Sequence, residues 1–250
     1  MGTLGHPSSV RQEGIGFELF RLKLFDLRDL ADIYSEYQMD KPIFRRAVGL
    51  SEELANRWFE LVADAMAEFG IITPERQAVF IAQVRHESGG FRQLVESFNY
   101  KRSAPAIFSR VPPHEREQLG RQQNETEVPL VRQRQIANLA YGERYGNGDA
   151  ASGDGWRFRG RELKQITFRD NYAVCDRALG FDLVAQRDSL ATVDKLAVRS
   201  AGWLEDERLQ CASGSGRFCR YNANHQLPCY GRREKRVAFW NTAKSALRLA

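Results

Sequence analysis

The segment TPERQAVFIAQVRHESGG, residues 73–90, carries both the start and the stop signals of an α-helix. Thr73 is a residue whose side-chain oxygen accepts a hydrogen bond from a first-turn N–H. Pro74 follows at the first helical position, where its fixed φ suits the helix and its missing N–H costs nothing. Glu75 adds negative charge to the first turn. Ala78, Ile81 and Ala82, with Val79 and Phe80 beside them, form an apolar face at helical spacing. Gly89 and Gly90 stop the helix. His86 and Glu87 are left on its last turn.

The rest of the chain reads the same way. Ser51 caps a helix whose apolar face is Leu54, Trp58, Leu61, Val62, Ala65 and Phe69, and Gly70 stops it. Helical patterns return at 132–144, 170–180, 191–208 and 232–249. Residues 101–130 are polar and contain prolines, which predicts an irregular segment with short helices. Strand signal is confined to about 156–168. The expected class is mainly α, with a small β element there. Residues 1–45 are expected as an N-terminal extension of unassigned role, and 46–250 as the main domain.

Composition narrows the partners. Of 250 residues 42% are hydrophobic, enough for a core, and the formal net charge is +5. That charge favours an anionic partner, nucleic acid, anionic lipid or a carboxylate-rich wall. The basic residues are dispersed, and no arm reads as a nucleic-acid tail. No stretch approaches a membrane span, and the first 14 residues lack a basic start and an apolar run, so no signal peptide is expected. Cys175 reads as a buried thiol. Cys211, Cys219 and Cys229 cluster near the C-terminus and allow one disulfide in an oxidising compartment. With His225 they raise the thought of zinc, but the short Cys-x-x-Cys clip is missing, and no metal or cofactor is expected.

Two carboxylates stand out. Glu87 lies at a helix C-terminus, where unpaired carbonyls disfavour a negative charge, and adjacent apolar packing would desolvate it. Both effects suit a proton donor. Glu96 follows in VESFNY, after glycines that permit a turn back towards Glu87. Cleavage of a glycosidic bond needs such a pair, one carboxyl to protonate the leaving oxygen and another to activate water or attack the sugar. Against this stand 32 acidic residues in the chain, most of which such chains leave solvated on the surface. The Gly-rich run 146–160 reads as a long functional loop. Asn147, Asp149 and Asp154 offer oxygen ligands for calcium, but the order and the closing glutamate of an EF-hand are absent.

Taken together, FIAQVRHESGGF, VESFNY and ANLAYGERYGNGDAASGDGWRFRGRELKQITFRDNY resemble glycoside hydrolase family 19, over roughly residues 45–249. The resemblance implies a mainly α, two-lobed, lysozyme-like fold and an inverting mechanism. It implies Glu87 as general acid, Glu96 as general base and Thr167 as the hydroxyl that holds the attacking water. Gln165, Asn171, Asn222 and, more loosely, Arg232 match sugar-site residues. Tyr100, Trp156 and Tyr172 offer aromatic faces to a sugar. The family usually has glycine where this chain has Glu162 and Phe168, and Gly-Gly at Ala223-Asn224, so these loops are expected to differ in shape.

The function these readings imply is cleavage of peptidoglycan strands by a monomer, in phage lysis or as an antibacterial toxin. It would be made in the cytoplasm and would reach the periplasm or wall through a holin-type pore or a secretion machine. A chitinase is the alternative within the same chemistry, and a non-catalytic wall-binding module is the alternative outside it.

Overall fold

The computed structural model describes residues 39–101, 110–212 and 233–247. All of them fall in one compact unit, Met39–Ala250. The unit begins ahead of the expected boundary at residue 46, because Phe44 already packs in its core.

Helix α1 spans Lys41–Val48, α2 Glu52–Glu68 and α3 Pro74–Glu87. The caps expected from the sequence are present. The Ser51 side chain accepts from Leu54 N at 3.3 Å, and Thr73 accepts from Arg76 N at 3.3 Å. Asp40 caps α1 in the same way, accepting from Ile43 N at 2.6 Å. Each such cap contributes about 1 kcal/mol. Further on lie α4 (Pro113–Leu119), α5 (Leu130–Tyr141), α6 (Asp154–Arg157) and α7 (Arg169–Leu179). The short α8 (Ser189–Thr192), α9 (Asp194–Ala212) and α10 (Arg233–Ala246) complete the described helices.

Helix α3 is central. Ala78, Phe80, Ile81, Ala82 and Val84 are buried, which covers more of its circumference than the one face the periodicity outlines. The reason is that α1 and α9 pack against it as well as α10. Its surroundings form one apolar cluster, in which Phe44, Trp58 and Phe91 meet. A second cluster joins Phe158, Ile166, Tyr172 and Cys175 to Trp203 and Leu204 of α9. A third lies under α5 and includes Phe98, Val111 and Ile136. Side chains of this size contribute about 1.5–3 kcal/mol each on full burial.

The mainly helical expectation holds. The small β element is minimal. Among the described residues the strand-like pairing is limited to isolated bridges, Val95 with Arg161, Arg161 with Ile166 and Lys101 with Arg121. Left-handed residues break up the 160–168 stretch, so no ladder can extend along it. No described helix is long and apolar enough to cross a membrane.

Candidate active site

The site begins where α3 ends. Ser88, fully buried, closes the helix: its Oγ donates to Val84 O at 2.6 Å and accepts from Phe91 N at 2.7 Å. Gly89, Gly90 and Phe91 then take φ of 57°, 77° and 63°. Three left-handed residues in succession reverse the chain within one turn. Phe91 tolerates that conformation because its ring is locked in the core, edge-on to Phe44 at 5.6 Å. Glu87 is thereby held on the last turn of α3, and it is exposed. The expected apolar packing around its carboxyl is therefore absent, because the core side chains of this turn, Val84 and Phe91, point away from it into the buried cluster. Beside it, Phe239 of α10 lies under the Arg85 guanidinium at 4.1 Å and 6.1 Å from the His86 ring.

After the turn, residues 94–96 run antiparallel to 160–162. Glu96 N donates to Gly160 O at 2.8 Å, and Glu162 N to Leu94 O at 2.9 Å. This pairing delivers the Glu96 carboxylate to two donors. Tyr141 Oη donates to its Oε1 at 2.6 Å, and Gly160 N to its Oε2 at 3.0 Å. A Cβ at Gly160 would lie 2.6 Å from Gln165 Oε1 and 3.2 Å from Glu96 Cβ, so a side chain there would displace the Gln165 amide and crowd Glu96. Burial pushes the Glu96 carboxyl above the usual carboxylate range, while Tyr141, Gly160 and the charge of Arg159 pull it part of the way back. Tyr141 and Ser88 escape a reading by residue type. The signal for both lay in the runs AYGERYGN and HESGG, at helix ends followed by glycine.

Residues 161–168 fold back on themselves, with Arg161 N donating to Ile166 O at 3.1 Å. Within the fold-back, Gln165 Nε2 donates to Glu162 O at 2.8 Å and Thr167 Oγ1 to Gln165 O at 3.0 Å. Asn171 Nδ2 donates to Thr167 O at 2.6 Å. The structure therefore joins Glu96, Gln165, Thr167 and Asn171 through one connected set of contacts. Thr167 spends its own proton on the Gln165 carbonyl, so towards a water its hydroxyl is an acceptor. Asn171 Oδ1 is buried without a hydrogen-bond partner.

Glu162 and Phe168 stand where glycine is usual in the family the sequence resembles. Their φ values are 67° and 77°, the left-handed region that favours glycine. Glu162 is fully buried, and its carboxyl oxygens accept from Lys164 N at 2.8 Å and Ile166 N at 3.2 Å. Burial pushes it up to about 8, against the opposing pull of those N–H groups and of Lys164. Lys164 Nζ is paired with Glu205 of α9.

The aromatic expectations divide. Tyr172 is fully buried and belongs to the core, where its hydroxyl accepts from Arg161 at 3.0 Å and donates to Arg159 O at 2.8 Å. It offers no face to a sugar. Tyr100 is half-buried, edge-on to Phe98. Trp156 is half-buried, with the Arg159 guanidinium 3.8 Å from its ring centre. Asn222, Ala223, Asn224, His225 and Arg232, and the side chains of Cys211, Cys219 and Cys229, lie outside the described residues. Cys175 is a buried free thiol. The 146–160 run is not structureless, since it holds a 3-10 turn at Ala150–Ser152 as well as α6. Its oxygen-bearing side chains serve the loop itself: Asp149 accepts from Ser152 N at 2.9 Å and Asp154 from Gly148 N at 3.0 Å. Asn147 bonds Tyr141 O at 2.9 Å and Arg169 N at 3.0 Å, which ties the loop to both flanking helices.

A glycosyl hydrolase family 19 domain-containing protein of Haemophilus influenzae is 37% identical over 146 residues, 58% of this chain and 68% of the relative. The chain belongs to glycoside hydrolase family 19. This family 19 protein is thus a glycoside hydrolase. No family model matches the chain. Chitinase C from Streptomyces griseus is similar in structure over 84% of this chain and 93% of its own, at 15% identity and a TM-score of 0.47. A bacterial family 19 chitinase is similar over 84% and 95%, at 15% identity and a TM-score of 0.47.

Proposed function

We propose that this family 19 hydrolase cleaves the glycan strands of bacterial peptidoglycan with inversion, Glu87 acting as general acid and Glu96 as general base. The observation that carries the reading is the contrast between the two carboxyls. Glu96 sits on a ledge where an O–H and an N–H both donate to it. Two donors hold the ionised form, and partial burial makes that form a stronger base than a solvated carboxylate. Glu87 is exposed at the end of α3. A strand lying across that end brings its leaving oxygen to the Glu87 carboxyl, the group placed to protonate it.

Inversion needs a water between the base and the sugar, with the two carboxyls on the order of 6.5–9.5 Å apart. Thr167, beside Gln165 and Asn171, presents a hydroxyl that accepts one of that water's hydrogens while Glu96 takes the other. As the water attacks, its proton passes to Glu96 and the Glu87 proton passes to the departing sugar oxygen. No covalent sugar–enzyme bond forms.

The net charge of +5 favours an acidic wall polymer over neutral chitin. The test is incubation with purified sacculi and with N-acetylglucosamine hexamer, followed by mass spectrometry of the products. Release of soluble muropeptides is the expected result, and Glu87→Gln lowers the rate by about 10²–10⁴. Cleavage of the hexamer alone would overturn the substrate reading in favour of a chitinase. Near-wild-type rates from a folded Glu87→Gln protein would overturn the acid, and binding without cleavage would make the protein a wall-binding module.

A further inference from the structure

Next to the Glu96 ledge is a second cleft, of about 340 Å³, with five guanidinium groups on its wall. They belong to Arg134, Arg157, Arg159, Arg161 and Arg187, and Asp188 is the one carboxylate among the described residues that line it. Two of the five are paired: Arg157 with Asp154 at 2.6 Å, and Arg161 with Asp188 at 2.6 Å. Arg134, Arg159 and Arg187 make no ion pair among the described residues. Arg159 is the most constrained. Its Nη1 donates to Trp156 O at 2.9 Å, and its Nε is buried with no hydrogen-bond partner. Burial and the neighbouring Arg161 lower it to about 10, so the crowding disfavours its charge. The Arg159 and Arg134 guanidiniums lie 3.8 Å and 5.8 Å from the Trp156 ring centre.

Cations crowded into a cleft without matching acids repel one another, and an anion relieves that repulsion. Guanidinium forks match a planar carboxylate with paired N–H donors. The volume suits a carboxyl with a short carbon stem beside Trp156. The cleft also adjoins the reaction site in sequence and in field: Arg159 precedes Gly160, whose N–H holds Glu96, and its charge acts on Glu96.

We propose that this arginine-lined cleft binds a carboxylate carried by the sugar strand, the acid of a lactyl or stem-peptide substituent, and so selects acidic glycan over neutral chitin. The proposal rests on the peptidoglycan reading above and deepens it. Arg134 and Arg187 are specificity residues in this account, since neither touches Glu87, Glu96 or Thr167.

The test uses full-length Glu87→Gln protein, which binds without turnover. It is co-sedimented at low salt with sacculi stripped of teichoic acid, their carboxyls either free or amidated. Adding Arg134→Gln and Arg187→Gln together should weaken binding to the free-carboxyl sacculi by about tenfold or more, the scale of lost charge-assisted hydrogen bonds. The same pair should change nothing on amidated sacculi or on N-acetylglucosamine hexamer. Arg45→Gln with Arg46→Gln removes equal charge from α1, and should leave binding near the parent. Equal losses from the two pairs would reduce the effect to net charge and overturn the site. Loss seen only on sacculi that retain teichoic acid would assign the cleft to phosphate and overturn the carboxylate. Arginine-dependent binding by a wild-type chain that releases no fragments would defeat the hydrolytic reading and leave this site standing. Fragment release with arginine-independent binding would do the reverse.

Discussion

Tyr141→Phe isolates one hydrogen bond at the base. The ring stays packed, because Phe keeps the edge-on contacts with Phe98 at 5.7 Å and Phe168 at 5.0 Å. What goes is the O–H that donates to Glu96 Oε1 at 2.6 Å. That phenol is pushed well above its ordinary range, by burial first and by the Glu96 charge next, so it is a donor across the whole working pH range. A hydrogen bond to a charged group contributes about 1.5–3 kcal/mol, and water entering the gap returns part of it. The sign follows from which form the bond favours. Tyr141 holds Glu96 ionised, so its loss pushes the Glu96 carboxyl further up, and a base acts only when ionised. The acidic limb of kcat/KM therefore moves to higher pH. On the acidic limb the loss should approach about tenfold, and it should shrink as pH rises. The assay is kcat/KM between pH 4 and 9 on a soluble substrate, with Tm measured alongside. A limb that stays in place in a folded variant would show that Glu96 is not the titrating base.

Thr167→Ser should keep most of the activity, whereas Thr167→Ala should lose about 2–10-fold in kcat with little change in KM, the scale of one neutral hydrogen bond. Equal rates from the two would make Thr167 a packing residue. Glu162→Gln removes a carboxyl whose folded value is raised to about 8 by burial. A raised value means stability that is full below the unfolded value near 4.5 and is lost as pH rises through 8, so wild-type Tm should fall from pH 5 to 8 and the variant's should fall less. Parallel curves would show that Glu162 does not titrate in that window. Phe168→Gly relieves a left-handed backbone worth about 1–3 kcal/mol but gives up a buried ring worth about 3–5 kcal/mol. Net destabilisation by about 2 kcal/mol in urea unfolding is expected, and a more stable variant would mean that the strain outweighs the packing.

Much of the fold could be read from the sequence, because helix signals are local. Ser51, Thr73, Pro74 and the glycines at 89 and 90 act through their own backbone, and each appears where its chemistry puts it. What could not be read was long-range. The burial of α3 on several sides depends on α10, which begins well over a hundred residues later. The exposure of Glu87 depends on which way the 88–91 turn points, and no spacing encodes that. Glu96 was legible as a candidate, but its donors were not. Tyr141 reaches it across 45 positions and Gly160 across 64.

Glu162 and Phe168 show how a loop keeps a glycine conformation without glycine. Each left-handed residue stores about 1–3 kcal/mol, and something must hold it. At Glu162 the carboxyl turns back on its own chain and accepts the N–H groups of Lys164 and Ile166, the side-chain-to-backbone closure that short polar residues use in turns. Two such bonds offset the strain and the burial together only if the carboxyl is well enclosed, and it is completely buried. At Phe168 the offset is different in kind. Its N–H bonds Phe158 O at 2.8 Å, and its ring is held between Tyr141 and Tyr145. Thr167 lies between these two anchors, and Gln165 is itself at φ 64°. Because the flanking dihedrals are fixed by buried contacts, the Thr167 hydroxyl has little freedom to drift, and its bond to Gln165 O sets its remaining direction. The same ring that anchors Phe168 meets Tyr141, the donor on Glu96. The Thr167 hydroxyl and the Glu96 carboxylate, proposed as water-holder and base, are therefore positioned by one packed unit, and disturbing Phe168 should move both.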